Sequence, residues 1–88
     1  MNNNQLELLR HQIVQIDREL VNLLISRFEV VKVVGQFKHE QNLPPLDKNR
    51  WQIVLQSRIK WGKGIEQVIK DVFETIHRHA LITEEKEL

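Results

Sequence analysis

The sequence predicts an all-α fold of three helices: long, short and medium. Three observations carry this. An apolar repeat at helical spacing runs through the first part of the 88-residue chain without a proline. Two breaks, Leu43-Pro44-Pro45-Leu46 and Trp61-Gly62-Lys63-Gly64, punctuate the rest of the chain. No segment shows the period of two that marks a half-buried strand.

The first helix is expected from about residue 5 to about residue 41. Leu6, Leu9, Ile13, Ile16, Leu20, Leu23, Val30 and Val34 recur three or four residues apart, and Leu24, Val31 and Val33 widen the stripe. At 1.5 Å per residue this helix is roughly 55 Å long. A small domain cannot wrap such a length, so the stripe needs a partner helix, and a second copy of the chain supplies one. Pro44 disfavours helical angles at Leu43 and ends the helix. Asp47 then reads as the N-cap of a second helix whose stripe is Trp51, Val54, Leu55 and Ile59. Gly62 and Gly64 suit its C-terminal cap and turn. The third helix begins near Ile65, carries Val68, Ile69, Val72, Phe73, Ile76 and Ala80, and runs to about residue 84, with the tail from Glu84 to Leu88 expected to fray. There is no repeat and no long linker, so residues 1–88 are read as one domain.

Composition narrows the function classes. The chain has no cysteine, which excludes disulfides, a thiolate nucleophile and a cysteine-ligated zinc. Its formal net charge is +1, with acids and bases interspersed, unlike the concentrated basic face of a nucleic-acid binder. No apolar run approaches the ~20 residues that span a bilayer, and the polar N-terminus lacks signal-peptide character, so no membrane partner and a cytoplasmic location are expected. His77 and His79 lie two apart and point in different directions on a helix, His11 and His39 have no ligand-spaced partner, and no metal or cofactor is expected. Trp51 and Trp61 read as core or interface residues.

Four polar residues occupy stripe positions: Arg10, Arg27, Lys38 and Glu84. Each alone is compatible with snorkelling or a solvated helix end. Together, three inward cations point to a small anionic ligand, because unpaired charge is costly in a core. Arg27 and Lys38 are eleven residues apart, hence about 20° apart around the axis and roughly 16 Å apart along it. Gly35 lies one turn before Lys38, where a missing side chain permits close approach. Arg10 is about 100° away from Arg27. One small ligand reaches both only if Arg10 comes from a second helix, which fits an intertwined homodimer with shared sites. Asp47, as a helix cap, and Arg50 complete the polar set.

The pattern resembles the all-helical chorismate mutases, the AroQ class. The resemblance rests on Leu9-Arg10, Ile13, Ile16-Asp17, Leu20, Leu23-Leu24, Arg27, Val34-Gly35, Lys38, Pro44 and Asp47-x-x-Arg50, and more loosely on Ile65, Phe73 and Ile76. It implies an intertwined homodimer that converts chorismate to prephenate without a cofactor. Arg10, donated across subunits, and Arg27 would hold the two substrate carboxylates. Lys38 would contact the ether oxygen and a carboxylate, Asp47 and Arg50 would lie near the ring hydroxyl, and Glu84 would meet the ether oxygen. Ala80 stands where a serine often touches a carboxylate, Trp51 where many members carry a glutamate for the ring hydroxyl, and Glu84 where glutamine is common. The resemblance also leaves open an isochorismate-pyruvate lyase or a 4-amino-4-deoxychorismate mutase. A non-catalytic helical dimerisation or regulatory module is the alternative of another class, although a pure scaffold would not need Arg10, Arg27 and Lys38 together. Nothing in the chain resembles a fused dehydratase or dehydrogenase domain, and a stand-alone protein is expected.

Overall fold

The computed structural model describes residues 3–86 and is all-α: α1 (Asn3–Glu40), α2 (Lys48–Trp61) and α3 (Glu66–Lys86), with no strand among the described residues. The chain divides into two compact units, one ending at Val30 and the other starting at Val31. Among the described residues no helix is long and apolar enough to cross a membrane.

The first unit is helix throughout its described length, and its apolar stripe is uncovered. Leu9, Ile13, Ile16, Leu20 and Leu23 are 43%, 57%, 62%, 53% and 68% exposed. A continuous apolar surface of that kind marks an interaction face rather than a solvated one.

The second unit contains the end of α1, a loop, α2 and α3. The first helix stops at Glu40, and the stop is more specific than a downstream proline. Asn42 takes φ 56°, a left-handed conformation, while the Leu43 N–H donates to the Lys38 carbonyl at 2.7 Å and the Asn42 N–H to the His39 carbonyl at 3.1 Å. This is a Schellman cap with asparagine in the position glycine usually fills, followed at the expected distance by Pro44. Asp47 caps α2 as expected: its Oδ1 accepts the Arg50 N–H at 3.0 Å, satisfying a donor left over by the first turn.

Gly62 caps the end of α2 with φ −85°, donating to the Arg58 and Ile59 carbonyls. What it provides is space: a Cβ there would come within 2.1 Å of Ile69 Cγ1 on α3. Gly64, at φ +93°, supplies the left-handed turn. Glu66 Oε1 then accepts the Gly64 N–H at 3.0 Å at the start of α3.

Leu55, Ile76 and Ala80 form the buried apolar core of this unit. The expectation of a tail fraying from Glu84 is overturned. The helix continues to Lys86, and Glu84 is only 7% exposed, because the 76–80–84 series keeps it on the inward face of α3. Glu87 and Leu88 lie outside the described residues. Trp51 is half-buried, whereas Trp61 is 72% exposed, with the Arg58 guanidinium 4.7 Å from its ring centroid.

Candidate functional site

The site is built from the end of α1 upward. Gly35 is buried and sits directly against α3; a Cβ placed on it would lie 2.9 Å from Glu84 Cα and 3.2 Å from the Glu84 carbonyl oxygen. This close approach brings Lys38, one turn further along α1, to the Glu84 carboxylate. Lys38 Nζ stands 2.6 Å from Glu84 Oε1, and it donates a hydrogen bond to the Pro45 carbonyl at 2.7 Å. The ammonium approaches Oε1 outside hydrogen-bonding angles, so the contact is an ion pair, and that oxygen has no aligned hydrogen bond although it is buried. A buried acceptor without an aligned donor is costly to maintain and has capacity for a further partner. The lysine side chain is 24% exposed and the glutamate 9%, so the lysine is the more accessible member of the pair.

An open concavity of about 510 Å³ adjoins this pair, walled by Lys38, Leu43, Pro44, Asp47 and Lys48. Its size suits a small organic acid. Lys38 contributes the cation, and the capped start of α2 contributes helix-terminal N–H groups and their partial positive charge. Asp47 and Arg50 are exposed at that helix start, and Ala80 is buried one turn before Glu84. The structure therefore gathers Lys38, Glu84, Asp47, Arg50 and Ala80 in one unit. Arg27, half-buried, and Arg10, exposed and paired with Glu7 Oε1 at 2.7 Å, belong to the other. Among the described residues no group of histidines and carboxylates is placed to hold a metal ion.

Two contacts within this unit escape sequence reasoning. One is the Pro45 carbonyl, which anchors the lysine through the loop. The other is a stack between Trp51 on α2 and His77 on α3, with ring centroids 3.7 Å apart and planes within 5°. The available signal for the second was that His77 lies seven residues before Glu84, two turns earlier on the same face of α3.

A family model described as chorismate mutase type II matches residues 9–85. The chain belongs to the chorismate mutase type II family. Every candidate residue from Arg10 to Glu84 falls inside the matched span of this chorismate mutase type II chain. Two curated relatives are similar at the sequence level. The T-protein of Haemophilus influenzae is 35% identical over 79 residues, covering 86% of this chain and 21% of that protein. The T-protein of Enterobacter agglomerans is 32% identical over 83 residues, covering 91% of this chain and 22% of that protein. The chain thus spans about a fifth of the length of the curated relatives it matches. No solved structure matches it.

Proposed function

We propose that the chain is a chorismate mutase, converting chorismate to prephenate by a Claisen rearrangement within one molecule. The observation that carries this reading is the Lys38 ammonium, fixed by the Pro45 carbonyl beside the buried Glu84 carboxylate, in a chain of this family. The reaction breaks a C–O bond and forms a C–C bond with no proton transfer to the protein and no covalent intermediate. What it requires is a dianion held in its compact conformer and a cation waiting where negative charge grows on the ether oxygen. Lys38 answers the second need. Arg27, and Arg10 from a second copy, answer the first by taking the two carboxylates. Asp47 and Arg50 bind at the ring-hydroxyl end and Ala80 lines the space between. Glu84 assists the ether oxygen only as the protonated acid, since an ionised carboxylate there would repel it.

A homodimer follows from the same reading. The uncovered stripe of the first unit is the surface a second copy would cover, and a donated Arg10 requires that copy. The substrate belongs to small-molecule biosynthesis, and the cytoplasm is the compartment we propose.

The test is purified protein with chorismate, followed by loss of its ultraviolet absorbance and identification of the product. Prephenate is expected, and Lys38→Ala should lower kcat/KM by about 10²–10³, the usual loss when one preorganised transition-state donor is removed. Pyruvate and salicylate from isochorismate, with no prephenate from chorismate, would replace the mutase by a lyase. Inertness toward both would favour the amino substrate or a non-catalytic module.

A further inference from the structure

We propose that Lys48 is an electrostatic guide for this site: it draws the dianionic substrate into the concavity at the end of α1 and makes no contact with it once bound. The inference rests on the mutase reading above and adds to it a residue that reading does not use.

Charge on the wall comes first. The charged side chains lining the concavity of about 510 Å³ are Lys38, Asp47 and Lys48. Lys38 is already offset, because its Nζ lies 2.6 Å from a Glu84 carboxylate oxygen. Asp47, whose Oδ1 accepts the Arg50 N–H, adds a second carboxylate. One cation and two anions leave a net negative charge, which opposes the approach of a dianion. Lys48 cancels it. Its side chain is exposed and joins no ion pair among the described residues. Arg50 is exposed at the same helix start but does not line the wall. Lys48 is therefore the uncommitted cation that the concavity itself presents to an arriving anion.

The cost to α2 comes second. The N-terminal end of a helix is its positive end, where acids stabilise and cations destabilise. The first turn of α2 holds no acid and opens on Lys48. Its third position, where a glutamate or glutamine often reaches back to the cap, is Arg50. The helix start thus gives up local stability, and what it gains is positive potential at the mouth of the concavity, where such a field raises the local concentration of an anion. A local rule broken beside a site points to function.

The magnitude follows from distance. A ligand in the concavity stays within about a Debye length of Lys48, ~10 Å at 0.1 M salt. At about 10 Å in water a unit charge changes the affinity of a dianion about fourfold before screening. Substrate and transition state feel this attraction equally, so it acts on KM and leaves kcat alone.

The experiment measures kcat and KM for chorismate with the full chain and with Lys48→Gln and Lys48→Glu, at ionic strengths of about 0.01 M and about 0.15 M. At the lower salt KM should rise about threefold in the glutamine variant and about eightfold in the glutamate variant. At the higher salt the increases should shrink to about 1.5-fold and about twofold. The thermal midpoint, at fixed protein concentration, should stay level with glutamine and rise with glutamate, which suits the helix end. Wild-type KM in both variants at low salt overturns the inference. So does a KM increase of the same size at both salts, or one accompanied by a fall in kcat, since either marks a direct contact. A midpoint lowered in both variants makes Lys48 a structural residue and overturns it as well. Wild-type protein that leaves chorismate unchanged overturns the mutase reading itself, and the guide with it.

Discussion

Replacing Gly35 with alanine tests whether the close approach of α1 to α3 builds the site. In an ordinary helix interior this change stabilises by about 1 kcal/mol, because glycine has more backbone freedom to lose. Here the new methyl would lie 2.9 Å from Glu84 Cα and 3.2 Å from the Glu84 carbonyl oxygen. Both are backbone atoms, so no rotamer change relieves them. Reaching the 3.4 Å at which ordinary contact begins requires the helices to part by 3.4 − 2.9 = 0.5 Å at that point. Overpacking of this kind costs about 1–3 kcal/mol. Subtracting the propensity gain leaves a net destabilisation of about 0–2 kcal/mol. The functional effect should be clearer, since the shift falls one turn from the Lys38–Glu84 contact at 2.6 Å. A displacement of 1 Å in a reacting geometry costs about a hundredfold, so half of that predicts about a tenfold loss of kcat/KM. Denaturant unfolding at fixed protein concentration, with steady-state turnover on the same samples, measures both. A variant more stable by about 1 kcal/mol with unchanged kcat/KM would show that nothing crowds this position, and would refute the reasoning.

On the proposed reading Glu84 serves the ether oxygen as a hydrogen-bond donor. Glu84→Gln, whose amide is always a donor, should keep or raise kcat/KM and Glu84→Ala should lower it; equal kcat/KM in the two variants sinks the assignment. Replacing the ion pair with Lys38→Met and Glu84→Leu together should leave stability within about 1 kcal/mol of wild type or raise it, while turnover is lost, because apolar replacements of buried pairs are often neutral or stabilising. A collapse in thermal midpoint would instead give the pair a structural role. Glu66 is held below the usual carboxylate range by the Gly64 N–H first and by its own N–H second. A depressed folded value means its stabilisation is full above the unfolded pKa and is lost as pH falls through the lower folded one. Glu66→Gln should therefore weaken the acid-side decline in unfolding free energy, and an unaltered pH–stability curve would contradict this.

The parts of the fold legible in the sequence are those encoded locally. The α1 stripe, the Asp47 cap and the order of three helices all depend on residues within a few turns of each other. The inward position of Glu84 was also readable, as the next step of the Ile76–Ala80 series, although a solvated fraying end competed with it. Asn42 could have been read as a left-handed cap, but the stronger proline signal two residues later concealed it. The Trp51–His77 stack and the Lys38–Pro45 bond were not legible. The stack joins residues 26 apart and depends on how α2 lies on α3, which Gly62 permits by yielding room to Ile69. The anchor for Lys38 is a backbone carbonyl, a group every residue has, so no residue type could announce it.

Stability alone gives no reason for the arrangement around Glu84. Burying a carboxylate beside an ammonium incurs desolvation that their attraction often fails to repay, and Oε1 does without an aligned hydrogen bond. Gly35 adds a backbone that is entropically unfavourable in a helix. Three locally unfavourable choices converge within one turn of each other, on the segment where the loop fixes the lysine. Local sequence rules broken together at one place, in a chain otherwise consistent with its fold, are what a functional site produces. A dianion whose ether oxygen develops charge beside Lys38 gives each choice a reason. The glycine lets the two helices meet, the carbonyl aims the ammonium, and on the proposed reading the buried acid is the group that would face the ether oxygen.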